Sequence, residues 1–208
     1  MRNMAVRAGY TGDESAARAL TNDPDPATRA SAIAALVRMR VASAADMDAA
    51  LTDDDPYVRQ RALRLLVGLN QSDVTTPNLL PYLPDPDDGV TEVAAFVAGE
   101  LFGQMSSPET GTGATTVDEL DRVVAALSEI VTGHSDPLCR ESAVAALGAI
   151  GNSAGLPAVL TATRDRATVR RRAVLALAAF DGPEVDATLD RLLTDRDLQV
   201  RQAAEDLR

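Results

Sequence analysis

The chain has no lysine and no tryptophan, and its 208 residues include one cysteine, three phenylalanines and three tyrosines. A lone cysteine cannot form an internal disulfide, so a reducing compartment is the simplest setting and we predict a cytoplasmic protein. With so few aromatic residues, the core has to be built from small and aliphatic side chains. Such residues favour close packing between helices over sheet faces, which prefer β-branched and aromatic side chains.

Every basic residue is an arginine, and 20 arginines against 31 acidic residues give a formal net charge of −11. An acidic surface repels the phosphates of nucleic acids and of anionic lipids, so nucleic acid is a disfavoured partner. No apolar run is long enough to cross a bilayer, and no membrane partner is expected. A GC-rich genome and adaptation to salt would each account for the lysine-free, acidic composition.

One block of about twelve residues recurs along the chain. Its best-formed copy is Asp55–Leu66, and related copies begin at Asp25 and Asp136. The shared pattern is Asp-Pro-x-x-Arg-x-x-Ala-x-x-(Ala/Leu)-Leu, and its arginine marks the phase of six repeats of about 30 residues. The phase residues are Arg29, Arg59, Thr91, Arg140, Arg170 and Arg201.

Each block has the features of a helix start. Asp55 is suited to cap the first turn, and Pro56 follows at the first helical position, where a missing N–H costs nothing. Apolar residues then recur at helical spacing, as at Val58, Ala62 and Leu65. We call this the second helix of a repeat. Shorter amphipathic segments predict the first helices at 14–20, 44–51, 76–83, 117–131, 155–163 and 183–193.

The spacing between Thr91 and Arg140 is 49 residues, so this repeat carries an insertion. The extra residues lie in a Gly/Ser/Thr-rich stretch at about 103–116, whose composition predicts a surface loop. Loops of this length often serve binding, and that role stays open here. We otherwise predict one repeat domain over residues 1–208.

The recurring block resembles the HEAT repeat, in particular the short HEAT-like repeats of the phycobilisome-lyase type. The resemblance covers roughly residues 14–208. It implies an all-α fold, a right-handed α-solenoid of about six helix–turn–helix repeats whose second helices line the concave surface. It further implies that aspartates and arginines of neighbouring repeats pair in a buried ladder, which is irregular near its middle. Carried over to this chain, the ladder residues are Asp25, Asp55, Asp136 and Asp197 with Arg29, Arg59, Arg140, Arg170 and Arg201.

The residues offer little for catalysis. His134 is the only histidine and has no second ligand of metal-site spacing, and Cys139 occupies a core position of its repeat. The clustered aspartates are explained as helix caps. We therefore predict no catalytic, cofactor-binding or metal-binding residues and no enzyme activity. HEAT-like hydroxylases and DNA glycosylases would require several His–Glu pairs, or a basic groove with tryptophans, which this sequence lacks.

The most informative positions are those on the second helices that neither the core nor the ladder uses. They place apolar residues on the face opposite the packing stripe, where polar residues are the norm. A groove for an acidic protein or peptide partner, or for a second copy of the chain, would explain them. The predicted partner-binding residues are Val37, Arg64, Val67, Phe96, Arg171, Arg172 and Leu175.

The sequence thus predicts a non-catalytic scaffold or adaptor that binds a partner protein on its concave face. A lyase-like or chaperone-like subunit that assists cofactor attachment or enzyme maturation is the alternative, and a HEAT-like DNA-processing protein ranks third. A tightly curved solenoid that partly buries its own inner helices would also account for the apolar strip.

Overall fold

The structure is a computed structural model that describes residues 1–69, 78–105 and 117–208. Within these ranges all regular structure is helical, and two short 3-10 turns occupy Leu80–Tyr82 and Ser153–Gly155. The helices are α1 (Arg2–Thr11), α2 (Glu14–Ala19), α3 (Pro26–Met39), α4 (Ala44–Leu51), α5 (Pro56–Leu66), α6 (Asp88–Met105), α7 (Val117–Gly133), α8 (Pro137–Ile150), α9 (Leu156–Ala162), α10 (Ala167–Leu177), α11 (Pro183–Leu192) and α12 (Leu198–Asp206).

The chain forms two compact units, an N-terminal unit of Met1–Asn78 and a C-terminal unit of Leu79–Arg208. In the N-terminal unit α3 packs between α1 and α5, while α2 contacts α3 and α4 contacts α5. In the C-terminal unit α6, α8, α10 and α12 pack in that order, and α7, α9 and α11 each contact the second helix that follows them. Helix pairs therefore stack within each unit, and the predicted all-helical repeat fold is confirmed.

The second helices begin as the sequence predicts. Asp25, Asp55, Asp136 and Asp197 are their N-caps, and each carboxylate accepts one or two hydrogen bonds from backbone N–H groups of its own first turn. Proline occupies the first helical position of α3, α5 and α8. The predicted first helices at 44–51 and 183–193 match α4 and α11 to within one residue.

The sequence gives no sign that α1 belongs to the repeat series. This helix starts after Met1 without a side-chain cap, and it lacks the Asp-Pro-x-x-Arg pattern of the recurring block. It nevertheless packs on α3 as one second helix packs on the next. A Cβ at Gly9 would stand 2.9 Å from that of Ala35, so the missing side chain is what permits the close approach.

The predicted loop begins too early. Residues 103–105 are the last residues of α6, which ends at Met105. The remainder of the predicted loop, 106–116, lies outside the described residues. So does the start of the predicted helix at 76–83, of which the structure describes the 3-10 turn. A single domain over 1–208 stays a prediction.

Small residues set the spacing between second helices in the C-terminal unit. A Cβ on Gly99 of α6 would stand 2.9 Å from the Ala146 Cα of α8, and one on Gly148 of α8 would stand 2.7 Å from the Ala176 Cα of α10. Real Cβ atoms do not approach so closely, so only glycine fits these two positions. At these two contacts the second helices therefore pack backbone against backbone.

Arginines of the recurring block join successive repeats. Nε and Nη2 of Arg29 donate to the two carboxylate oxygens of Asp53, at 2.8 and 2.7 Å. The same two-bond contact recurs in the C-terminal unit in these pairs: Arg140 with Asp165 at 2.7 and 3.0 Å, and Arg170 with Asp195 at 3.0 and 2.8 Å. Each is a bidentate guanidinium–carboxylate contact, the strongest geometry available to this pair of side chains.

The other end of each guanidinium holds the turn of its own repeat. Arg29 Nη1 donates to the carbonyl oxygens of Asp23 and Pro24, at 2.9 and 3.2 Å. Arg59 Nη1 contacts the Asp53 and Asp54 carbonyls in the same way, and Arg201 Nη1 contacts that of Asp195. The arginine side chain thus fixes the turn from which its own helix starts.

The predicted ladder names the wrong aspartates as partners of Arg29, Arg140 and Arg170. The predicted partners are the N-cap residues Asp25, Asp55, Asp136 and Asp197. Their carboxylates accept from backbone N–H groups of their own helices, so they are engaged there and not with the arginine. In the Asp-x-Asp turns the arginine's partner is instead the earlier aspartate, such as Asp53 or Asp195. That aspartate also accepts from the backbone N–H of the capping residue, as Asp195 does from Asp197 at 2.8 Å.

The ladder is interrupted where both of its members are replaced together. Thr91 stands in the arginine position of α6, and His134 stands in the position of the acceptor aspartate in the next turn. Thr91 is fully buried, and its hydroxyl donates to the Asp85 carbonyl at 3.2 Å. His134 Nδ1 accepts the Asp136 N–H at 3.1 Å, so the turn keeps its shape without a carboxylate.

Arg29, Arg140 and Arg170 each lower the pKa of the aspartate that they contact. The hydrogen bond from Arg29 is the main cause of the lowered pKa of Asp53, and the pKa of Asp165 is lowered in the same way by its own arginine. Burial by itself would raise the pKa of Asp195, yet the hydrogen bonds that it accepts bring the pKa below the ordinary value. The folded state therefore holds these carboxyl groups in their charged form.

We expect Gly148→Ala to lower the free energy of unfolding by about 1–3 kcal/mol, because the new methyl group overlaps the backbone of Ala176. The matched control is Gly133→Ala at the end of α7, where a Cβ would meet nothing within 4 Å. That change should be neutral or stabilise by about 0.5–1 kcal/mol. Urea unfolding midpoints of the two variants measure the difference, and equal midpoints would contradict the close-approach argument.

We expect Arg170→Ala to lower the free energy of unfolding by about 3 kcal/mol, because the variant leaves the Asp195 carboxylate half-buried and unpaired. Arg170 itself is only 5% exposed. The control is Glu14→Gln, which removes the exposed pair of Glu14 with Arg18 and should change stability by less than about 0.5 kcal/mol. Thermal unfolding followed by circular dichroism compares them; similar melting temperatures would refute a structural ladder.

Acid should destabilise the protein through the same carboxylates. Because the pKa values of Asp53, Asp165 and Asp195 are lower in the folded state, their stabilisation is complete above the unfolded pKa of about 4. It is lost as the pH falls from there through the folded values. Urea midpoints should therefore be level from pH 7 to about 5 and decline below about 4, and Asp195→Asn should make that decline shallower. An unchanged slope in the variant would exclude Asp195 as a contributor.

Candidate functional site

The second helices of each unit present a face that the core does not use. It is formed by the positions two before, one after and five after the phase residue. The first and the last of these are seven residues apart, which is within about 20° of two full helical turns, so their side chains point the same way. Large apolar side chains on this second-helix face are exposed at Tyr57, Phe96, Leu138 and Leu175. The face thus carries apolar groups in both units.

In the N-terminal unit the predicted site residues are only partly available. Val37 near the end of α3 and Val67 just after α5 are both half-buried. They occupy the phase at which Gly99 and Gly148 approach the next helix, so part of their surface is taken up by packing. Arg64 is exposed on α5 and forms no ion pair within the described part of the chain.

In the C-terminal unit the predicted apolar residues are open to solvent and the predicted arginines are engaged. Phe96 on α6 and Leu175 on α10 are about half exposed. Arg171 Nη1 donates to the Gln199 side chain at 2.8 Å, and Arg172 Nη2 lies 3.6 Å from the Glu141 carboxylate. The two arginines therefore link neighbouring second helices before any partner is considered.

Tyr57 and Leu138 were missed by the sequence prediction although a signal was present. Each lies two residues before the phase arginine, between the helix-starting proline and a buried core residue. In each repeat this position lies seven residues before the one that Arg64 occupies in α5 and Phe96 occupies in α6, so the two positions share one face. An apolar residue in the first turn, outside the core stripe, is the feature that identifies them.

The apolar residues of the C-terminal unit border a groove between α6 and α8, which we call the C-terminal groove. Its volume is about 380 Å³. Phe96 on α6 is 52% exposed and Leu138 on α8 is 58% exposed, and both line it. Gly99 and Ala146 form part of the lining, where the close approach of the two helices leaves no bulky side chain. Of the predicted site residues, this groove brings together Phe96 and Arg172.

The charged side chains that line the C-terminal groove are mostly acidic. Glu92 and Glu100 come from α6, Glu141 comes from α8, and Arg172 reaches it from α10. Arg172 lies against Glu141, whereas Glu92 and Glu100 pair with no arginine among the described residues. The groove is therefore both apolar and negatively charged.

The N-terminal unit has a smaller groove of about 250 Å³ with the opposite charge, which we call the N-terminal groove. Arg2, Arg38 and Arg61 line it together with Tyr10 and Tyr57. The Arg38 guanidinium lies 4.3 Å from the centre of the Tyr10 ring, in a cation–π contact. None of the described residues that line it is acidic.

The remaining candidates for chemistry have structural surroundings. Cys139 is fully buried, its thiol donates to the Asp88 carbonyl at 3.1 Å, and burial raises its pKa to about 12. A thiol in this state is a poor nucleophile near neutral pH. No group of three or more His, Cys, Asp or Glu side chains is placed to hold a metal ion among the described residues. None of the described helices is long and apolar enough to span a bilayer.

Solved structures that share the fold of this chain include engineered and designed proteins. An engineered protein from the Northeast Structural Genomics Consortium matches with a TM-score of 0.63 and 21% identity, over 94% of each chain. A designed armadillo repeat protein in complex with the peptide (KR)4 matches with a TM-score of 0.58 and 16% identity, over 98% of this chain and 96% of that one. The complex of CpcE and CpcF of phycocyanin lyase from Nostoc sp. PCC7120 matches with a TM-score of 0.58 and 24% identity, over 92% of this chain and 74% of that chain.

Among proteins of reviewed function, none matches the sequence. The family model for HEAT repeats matches residues 14–99 and 119–208, which is most of the chain. Those two ranges contain all six of the predicted second helices. With stacked helix pairs in both units and the recurring Asp-Pro-x-x-Arg start, the chain belongs to the HEAT-repeat family.

Proposed function

We propose that this protein is a non-catalytic scaffold that binds a partner protein or peptide on the second-helix face of its repeats. The observation that carries the proposal is the exposure of Phe96 and Leu138 at a groove in an otherwise well-buried, alanine-rich fold. An exposed aromatic side chain in a groove is a common anchor for a partner side chain.

The distribution of aromatic residues supports this function. Tyr10 and Tyr57 line the N-terminal groove and Phe96 lines the C-terminal groove. Each of these three side chains is about half exposed or more. In a chain with only six aromatic residues, half of them line the two grooves. A buried aromatic ring would contribute more to the core, so the exposed placement favours a role in binding.

The fold is suited to this role. The designed armadillo repeat protein to which the chain is similar in fold holds the peptide (KR)4, so a stack of helix pairs can present a peptide-binding surface. Val37, Arg64 and Val67 in the N-terminal unit, and Phe96, Arg171, Arg172 and Leu175 in the C-terminal unit, remain the proposed contact residues. Tyr57 and Leu138 join them because of their exposure on the same faces.

Two other functions have weaker support. A lyase-like or chaperone-like subunit is favoured by the fold it shares with CpcE and CpcF of phycocyanin lyase. Co-purification of a coloured or otherwise detectable cofactor with the chain would support it. A DNA-processing role is disfavoured because Glu92, Glu100 and Glu141 line the C-terminal groove and repel phosphate.

The scaffold function predicts that Phe96→Asp combined with Leu175→Asp abolishes capture of partners from native lysate of the source cells. Charged side chains cannot enter the apolar contacts that Phe96 and Leu175 would make. Capture by the immobilised chain, followed by mass spectrometry, is the measurement.

The matched control is Thr161→Asp with Ala187→Asp, which adds the same two charges at exposed positions of α9 and α11. It should capture the same proteins as the unmodified chain, and circular dichroism establishes that both variants are folded. A folded Phe96→Asp, Leu175→Asp variant that retains every partner would refute binding through this face.

A further inference from the structure

The C-terminal groove has an ordered arrangement of charge that indicates the chemistry of its ligand. Glu92, Phe96 and Glu100 follow one another at intervals of four residues along α6, so an exposed aromatic ring lies between two carboxylates. Eight residues of helix place Glu92 and Glu100 about 12 Å apart along the helix axis. Leu138 provides a second apolar contact from α8.

Among the residues that the structure describes, the two carboxylates have no cationic partner. Arg172, the one arginine among the described residues that line the groove, lies 3.6 Å from Glu141. Neither Glu92 nor Glu100 has an ion pair with any side chain that the structure describes. A cation supplied by a partner would therefore meet a charge that is still available.

At the groove, the other charges of the C-terminal unit add to the negative electrostatic field. Its residues include 21 acidic side chains against 11 arginines, whereas the N-terminal unit has ten against nine. The net charge of the protein thus belongs almost entirely to the unit that contains the C-terminal groove. A field of this kind attracts cationic segments and accelerates their association.

We propose that the C-terminal groove binds a short basic segment of a partner protein, and this inference rests on the function proposed above. An apolar side chain of the segment lies between Phe96 and Leu138, and arginine or lysine residues on either side pair with Glu92 and Glu100. An extended chain covers 12 Å in about four residues. The two cations are therefore separated by three residues, of which the middle one is apolar. The acidic partner expected from the sequence does not suit this groove.

Synthetic peptides test the proposal on the full chain. The probe is a fluorescent Arg-Ser-Leu-Ser-Arg peptide, and its binding is followed by fluorescence anisotropy. Three matched peptides replace both arginines by glutamate, replace leucine by serine, or place the arginines side by side. We expect the first peptide to bind best, with at least a tenfold loss for each of the other three.

Groove variants locate the binding site. Glu92→Gln with Glu100→Gln should weaken the Arg-Ser-Leu-Ser-Arg peptide at least tenfold, because both charge-assisted contacts are lost. The control is Glu129→Gln with Glu184→Gln, which removes two exposed carboxylates from α7 and α11 and should change the affinity less than twofold. Glutamine keeps the size and the helix propensity of glutamate, so the fold is maintained.

Several results would overturn the proposal. Tighter binding of the glutamate peptide, or no binding of the arginine peptide up to about 1 mM, would exclude a basic ligand. Equal losses of affinity in the groove variant and the control variant would place the peptide elsewhere. Self-association of the chain that the groove variant abolishes in sedimentation experiments would make a second copy the occupant. Each of them leaves the scaffold function standing, because the capture experiment with Phe96→Asp and Leu175→Asp tests that function separately.

Discussion

A charged contact between neighbouring turns fixes the spacing of the repeats wherever both of its members are present. Alanine-rich helix faces are smooth, and apolar contact alone does not fix how far one helix slides along another. The bidentate contact of Arg29 with Asp53, or of Arg170 with Asp195, is directional and supplies that missing constraint. Since the same arginine also binds carbonyls of its own turn, one side chain sets both the start of its helix and the position of the next repeat.

Close packing of the second helices has a direct effect on the site. Where Gly99 meets Ala146 there is no room for a large side chain, so bulky residues of α6 and α8 can only lie at the edges of the contact. Phe96 and Leu138 occupy such edges and form the walls of the C-terminal groove. The residues that stabilise the stack and those available to a partner are therefore neighbours on the same helix, separated by only a few positions.

The sequence predicted the helices well because the Asp-Pro start acts locally, through backbone groups of the same turn. It could not choose the aspartate that pairs with Arg29, since both aspartates of an Asp-x-Asp turn lie near the arginine and only the fold shows that Asp25 and Asp55 are used as caps. The charge of the C-terminal groove was missed for a different reason. Its glutamates and Arg172 come from three helices that the chain brings together over 80 residues, and no local pattern reports their sum.

The paired replacement at Thr91 and His134 places the C-terminal groove over a junction of a different kind. Among the side chains described, the charged contact nearest this junction is between His134 Nε2, in the turn before α8, and the Asp88 carboxylate of α6, which are 3.7 Å apart. The helices themselves meet through apolar residues, the Gly99 approach and hydrogen bonds such as that of Cys139. Added salt screens ion pairs but leaves such packing in place. Ionic strength therefore acts on the charged contacts at the groove, that of Arg172 with Glu141 and those of any cationic ligand, and leaves the apolar contact of α6 with α8 in place.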